Sequence, residues 1–146
     1  MSNIKKMLVK ADKSHLKHIL LIEGKSFDNP WSYNSFLDEL NSKVGSNWVY
    51  FKELKVLGYV FGWNICSEYY INNIAVCPNY RGAGIAMKLL DNIIKNLDVE
   101  NIFLEVSKIN VKAISLYEKM GFKKNGIRKN YYSNNTDAIL YKMELK

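Results

Sequence analysis

Between two β-patterned runs, "YYINNIAV" (69–76) and "NIFLEVS" (101–107), the chain carries a turn with two close glycines and one amphipathic helix. No other feature limits the fold as much. Ala86, Leu89, Leu90, Ile93 and Leu97 recur at helical spacing and form one apolar stripe. A strand–helix–strand unit of this kind closes right-handed and lays its two strands side by side and parallel. Parallel strands need cover on their faces, so more of the chain must pack against them.

The remaining segments supply that cover. "IKKMLVKA" (4–11) is expected as a first strand. "DKSHLKHILLIEGKSF" (12–27) is expected as a helix capped by Asp12 or Ser14, with Leu16, Ile19, Leu20 and Glu23 on one face. "NPWSYNSFLDELNSK" (29–43) holds a second, short helix after a Pro-Trp entry. "NWVYFKE" (47–53) and "KVLGYVFGWNI" (55–65) form antiparallel strands. After residue 107, "NVKAISLYEKM" (110–120) is a helix capped by Asn110 and stopped by Gly121, and 122–132 and 136–145 are closing strands. The order β-α-α-β-β-β-α-β-α-β-β predicts one α+β domain over residues 1–146. Its α/β layers are a mixed central sheet of about seven strands with helices on both faces.

The glycine turn, "CPNYRGAGIAMKLL" (77–90), sits where the apolar stripe begins, so Arg81-Gly82-Ala83-Gly84 falls at a helix N-terminus. The first N–H groups there lack intrahelical partners and the dipole adds positive charge. Bare backbone lets a phosphate approach, although a tight strand-to-helix turn needs glycine too. A P-loop would end in Gly-Lys-Ser/Thr, but Ile85 and Ala86 follow Gly84. A dinucleotide fingerprint would place a third small residue where Met87 stands. An acyl-coenzyme A turn is the remaining candidate.

Composition narrows the partners. The chain has 146 residues, 48% of them apolar, enough for a core, and no run near the ~20 apolar residues of a membrane span. The first residues lack a secretory apolar region, so a cytoplasmic address is expected. Cys66 and Cys77 make neither a disulfide framework nor a metal site and are expected in or near the core. The net charge of +7 is spread along the chain, which suits a solvated lysine surface better than direct nucleic-acid binding. Only Arg81 and Arg128 are arginines among 21 basic residues; an arginine here suits a place that needs a planar fork, and Arg81 lies inside the glycine turn.

"RGAGIA" (81–86) fits the Arg/Gln-x-x-Gly-x-Gly/Ala signature of the GNAT N-acetyltransferases. "LEVSKINVKAISLYEKMGF" (104–122), "IRKNYYSNNTDAILYKMEL" (127–145) and "PWS" (30–32) resemble the RimI-type members, which acetylate the N-terminal alanine of a small-subunit ribosomal protein. The resemblance spans nearly the whole chain. It implies a splayed parallel strand pair that binds acetyl-CoA, with no metal. Ile74, Ala75 and Val76 would run along the pantetheine arm, and Gly82, Ala83, Gly84, Ile85, Ala86 and Met87 would cradle the pyrophosphate with Arg81 at the entrance. Backbone N–H groups near Val76 would steady the oxyanion. Asn110 matches a further cofactor contact.

The same resemblance makes Glu105 the general base and Tyr117 the general acid. From the residues alone, a carboxylate in so apolar a strand is either functional or a structural ion pair, because such a strand is expected to be covered on both faces. Tyr117 lies on the apolar side of its helix, where core packing with a locally bonded hydroxyl is the alternative. Trp31, Tyr131 and Tyr132 are candidates for shaping the acceptor site. Cys77, Met87 and Ser107 depart from residues common in the family, the last two at phosphate and peptide contacts. The leading expectation is acetyl transfer to a protein N-terminus. A lysine side chain, polyamine or small amine is the second acceptor class, and a non-catalytic coenzyme A- or RNA-binding module is the third reading.

Overall fold

The computed structural model describes residues 7–132 and 134–145. In chain order the elements are β1 (Leu8–Lys10), α1 (Leu16–Ser26), α2 (Tyr33–Leu40), β2 (Gly45–Lys52), β3 (Lys55–Ile65) and β4 (Glu68–Val76). They continue with α3 (Ile85–Asn96), β5 (Asn101–Ser107), α4 (Val111–Lys119), β6 (Lys123–Arg128) and β7 (Ala138–Glu144). Short 3-10 turns occupy Lys13–His15 and Pro78–Tyr80. This is the order expected from the sequence, and the α+β mixed sheet is present.

The seven strands lie in the order β1-β2-β3-β4-β5-β7-β6. Every neighbouring pair is antiparallel except β4 and β5, which α3 joins. That parallel pairing is short: Glu68, Tyr69 and Tyr70 face Asn101, Ile102 and Phe103. Beyond it, β4 stays paired to β3 as far as Val76, and β5 stays paired to β7 as far as Ser107. Each strand follows its outer neighbour, and sheet twist carries the two apart. The sheet therefore opens at its centre between residues 71–76 and 104–107.

Two apolar cores fill the two faces. Leu16, Ile19 and Ile22 of α1 and Phe36 of α2 pack on Val49, Tyr59, Phe61 and Ala75. Ile85, Leu89, Leu90 and Ile93 of α3 pack on the opposite face against Val60, Ile102, Leu104, Val106 and Tyr141. Leu89 and Ile93 are wholly buried, and each such side chain contributes roughly 1.5–3 kcal/mol. Helices thus cover both faces, but not evenly.

Four expectations need correction. Asp12 does not cap the long helix. It closes a capping box with His15 around the 3-10 turn, its side chain accepting from Ser14 N at 2.9 Å, and α1 begins at Leu16. Cys66 is exposed, in the tight β3–β4 connection with φ at +56°, while Cys77 is half-buried. The strand expected over 122–132 ends at Arg128, because Asn130 turns to φ +54°. β5 is sealed on one face only. Ile102, Leu104 and Val106 are buried, but Phe103, Glu105 and Ser107 are half-exposed because no helix covers β5 and β7 on that side.

Candidate active site

The opening between β4 and β5 begins with unpaired backbone. Cys77 N donates to Leu57 O at 2.8 Å, so Cys77 and Ala75 turn their backbone groups toward β3. Alternation turns those of Ile74 and Val76 toward β5, where residues 71–76 have no strand partner. Arg81 Nε donates to Val76 O at 3.0 Å and its Nη2 reaches Ser26 Oγ at 2.9 Å. The fork thus ties the glycine turn to β4 and α1 and leaves the Val76 N–H facing the gap. Ala75 is buried in the α1–α2 core, and the Ile74 and Val76 side chains pack toward α3. Of the three, backbone is what reaches the opening.

The glycine turn stands beside that gap. Gly82 and Gly84 hold φ of +85° and +79°, a region that strains any side-chain-bearing residue. A Cβ at either would meet nothing within 4 Å, so the space before them is open. Gly84 is the N-cap of α3, and no side chain bonds the first-turn N–H groups. Ile85 and Ala86 are buried and Met87 is exposed, so Ile85, Ala86 and Met87 present backbone amides there. These residues fit a pyrophosphate, whose oxygens would accept from unsatisfied donors at a positive helix end. Across the gap, Asn110 caps α4, its Oδ1 accepting from Ala113 N at 3.2 Å. Its side-chain NH2 donates to no described residue. Among the described residues there is no cluster able to hold a metal.

Tyr117 projects from α4 on the same side as α3. Its ring meets Phe122 edge-on, centroids 5.9 Å apart at 71°. Among the described residues its hydroxyl has no hydrogen-bond partner, so the local bond of the core-packing alternative is not made. Burial, with a smaller contribution from Tyr132, pushes its acidity up to about pKa 12. The phenol therefore stays protonated at any physiological pH.

Glu105 lies on the other face of the sheet. It lines a cleft of about 840 Å³ together with Trp31, Arg128, Tyr131 and Tyr132. Glu105 Oε1 is 3.2 Å from Arg128 Nη2, and the same guanidinium stacks over Tyr131 at 5.3 Å. Both readings of Glu105 thus meet here: a carboxylate in an ion pair, on an open cleft. Tyr132 lines the same cleft. Burial raises its pKa, and the charge of Glu105 adds to the rise, while Tyr132 in turn acts on Tyr117.

Two contributors escaped the sequence reading. Arg128 is the second of two arginines, and the argument that singled out Arg81 applies to it equally. Glu23 sits on the apolar stripe of α1 and is 1% exposed. Its carboxylate accepts from Tyr59 Oη at 2.5 Å, from Asn73 Nδ2 at 2.9 and 3.0 Å, and from Trp31 N at 2.9 Å. Burial and this bond push the Tyr59 hydroxyl strongly upward in pKa. The network fastens the α1–α2 connection to β4 and holds Trp31 on the cleft. A charged residue inside an apolar stripe was the available signal.

A gap between parallel strands, reached from one face by a phosphate-ready helix end and from the other by a carboxylate cleft, is the plan of a group-transfer enzyme using a nucleotide-linked carrier. The model of the acetyltransferase (GNAT) family matches residues 16–122, and the chain belongs to that family. It is 34% identical over 129 residues to a putative [ribosomal protein bS18]-alanine N-acetyltransferase of Bacillus subtilis, covering 86% of this chain and 85% of that protein. It is 32% identical over 125 residues to the [ribosomal protein bS18]-alanine N-acetyltransferase of Escherichia coli K12, covering 82% and 84%. The crystal structure of the ribosomal-protein-S18-alanine N-acetyltransferase from Escherichia coli superposes with a TM-score of 0.86 at 28% identity, covering 95% of this chain and 93% of that one. The chain is thus a GNAT-family acetyltransferase, similar in sequence and fold to these ribosomal-protein alanine N-acetyltransferases. No helix among the described residues is long and apolar enough to cross a membrane.

Proposed function

We propose that this enzyme transfers the acetyl group of acetyl-CoA to the N-terminal α-amino group of a protein, a small-subunit ribosomal protein beginning with alanine, in the cytoplasm and by direct attack in a ternary complex. Acetyl-CoA supplies the activated thioester. The amides of residues 82–87 at the α3 N-terminus hold its pyrophosphate, and the Asn110 amide is placed for a second contact. The Val76 N–H donates to the carbonyl oxygen that gains charge. Glu105 takes a proton from the incoming ammonium, whose free pKa is near ~8, so modest help suffices. Tyr117 gives its phenolic proton to the departing thiolate. Trp31, Tyr131 and Tyr132 shape the acceptor end.

The observation that carries this reading is the placement of Glu105 on a cleft sized for a peptide and continuous with the strand opening. A cleft of about 840 Å³ is far larger than a lone small amine fills, which favours a peptide acceptor. Thiol release measured with peptides beginning in Ala, Ser or Met, and with N-blocked lysine peptides as controls, tests it. Turnover on the free α-amines with Ala strongest is expected. Turnover confined to the lysine controls, or none on any α-amine, would sink it.

A further inference from the structure

The cleft extends past the reacting groups onto a row of side chains that the acetyl-transfer reading leaves unused. In strand register, Trp63 of β3 faces Tyr70 of β4, Tyr70 faces Phe103 of β5, and Phe103 faces Lys142 of β7. Tyr70 and Phe103 stack with centroids 5.2 Å apart at 15°. This pair is the last one in register before the sheet opens, so the aromatic row forms the floor where the opening ends. At its β3 end, Glu39 of α2 closes the cleft, Oε1 accepting from Trp63 Nε1 at 2.7 Å. All of these except Lys142 line the same cleft as Glu105.

The charges around the row are unequal. Among the described residues, the ionised side chains lining the cleft are Glu39, Glu105 and Arg128. Arg128 is already paired with Glu105 at 3.2 Å. Lys142, over the Phe103 ring at 5.8 Å, is paired with Glu144 at 3.4 Å. Glu39 has no cationic partner among the described residues; a neutral indole N–H holds it in place. In a chain of net charge +7, the unanswered charge in this cleft is negative. Aromatic faces beside a fixed carboxylate hold a guanidinium or ammonium by stacking and charge together.

Distance fixes which residue of an acceptor would arrive there. Phe103 precedes Glu105 by two positions on β5, roughly 6.6 Å along the strand. An extended peptide advances about 3.3–3.6 Å per residue. Tyr70 and Trp63 lie one and two strands further across the sheet, about 4.8 and 9.6 Å, so with the amine at Glu105 a long side chain at the second or third position reaches the row. We propose that Trp63, Tyr70 and Glu39 form a subsite that selects an arginine or lysine at the second or third position of the acceptor. This rests on the N-terminal acceptor reading above.

The test uses the coenzyme A-loaded protein and the acetyl-CoA reaction in parallel. Acceptors are Ala-led peptides of Gly and Ser with one Arg, Glu or Ser at position two or three. Binding is followed by tryptophan fluorescence and turnover by thiol release. Arg peptides are expected to exceed Glu peptides by about tenfold in both affinity and kcat/KM, the size of one partly desolvated cation contact. Glu39→Gln keeps an acceptor for the indole and should shrink that ratio severalfold, and Glu39→Lys should invert it. A wild-type ratio within twofold, a preference for Glu at the Lys142 end, or a ratio unmoved by Glu39→Gln overturns the subsite. Charge-selective binding without turnover supports the subsite and overturns N-terminal acetyl transfer. Turnover without charge preference does the reverse, and absence of both overturns both.

Discussion

The two sides of the strand opening are made of different materials. On the α3 side the groups facing the glycine turn are mainly backbone: the amides after Gly84, the Val76 N–H and positive-φ glycines with open space before them. On the proposed acceptor side they are side chains: Glu105, Arg128, Trp31 and the two tyrosines around one cleft. The helix ends repeat the contrast. α3 starts on an uncapped glycine, whereas α4 starts on Asn110, whose side chain satisfies its own helix. A side that must accept one invariant carrier can use backbone. A side that must choose among acceptors needs side chains that can vary.

The sharpest way to break this comparison is to remove the two proposed acid–base groups. Glu105→Gln should lower kcat/KM by about 10²–10⁴-fold, and Tyr117→Phe by about 10²-fold, with acetyl-CoA affinity by calorimetry little changed. Equal losses in coenzyme affinity would move Glu105 to the wrong side. Next, Gly84→Val forces a side chain into φ +79° and should raise the acetyl-CoA KM about tenfold, through roughly 1–2 kcal/mol of strain at the helix end. The acceptor KM should hold steady.

Acidity separates the sides too. Tyr117, with its pKa pushed up to about 12, keeps its proton, so the rate should rise with pH as the acceptor amine loses its own, with no alkaline decline from Tyr117 below about pH 11. The folded phenol holds its proton above the usual tyrosine value of 10.0, so its contribution to stability is complete below that pH and is lost as pH climbs toward 12. Alkaline melts of wild type against Tyr117→Phe measure this. Asn110→Ala should lower stability by about 1 kcal/mol through the lost cap and raise the acetyl-CoA KM modestly. The smallest effect belongs to Arg128→Met. The pair is half-exposed, so at most about 1 kcal/mol of stability should go. The acceptor KM should move while the acetyl-CoA KM does not.

Much of this was legible in the chain itself. The stripe on α3 located the glycine turn, and Asn110 and Gly121 marked the ends of α4. Local periodicity and local caps are properties of neighbours in sequence, so sequence states them. The uncovered face of β5 was misjudged because cover is supplied by helices far away in the chain. Cys66 was placed near the core because its type favours burial, whereas a tight turn put it outside.

What only the tertiary structure decided is the meeting of distant residues. The sequence by itself determined the element order, the parallel pair and the anion-ready turn, all set by patterns within a few dozen residues. It held no distance between Glu23 and Trp31, between Glu105 and Arg128, or across Trp63, Tyr70 and Phe103. Those depend on strand register and on how far β4 and β5 part. Register is a property of the whole sheet, because each strand follows the neighbour that holds it.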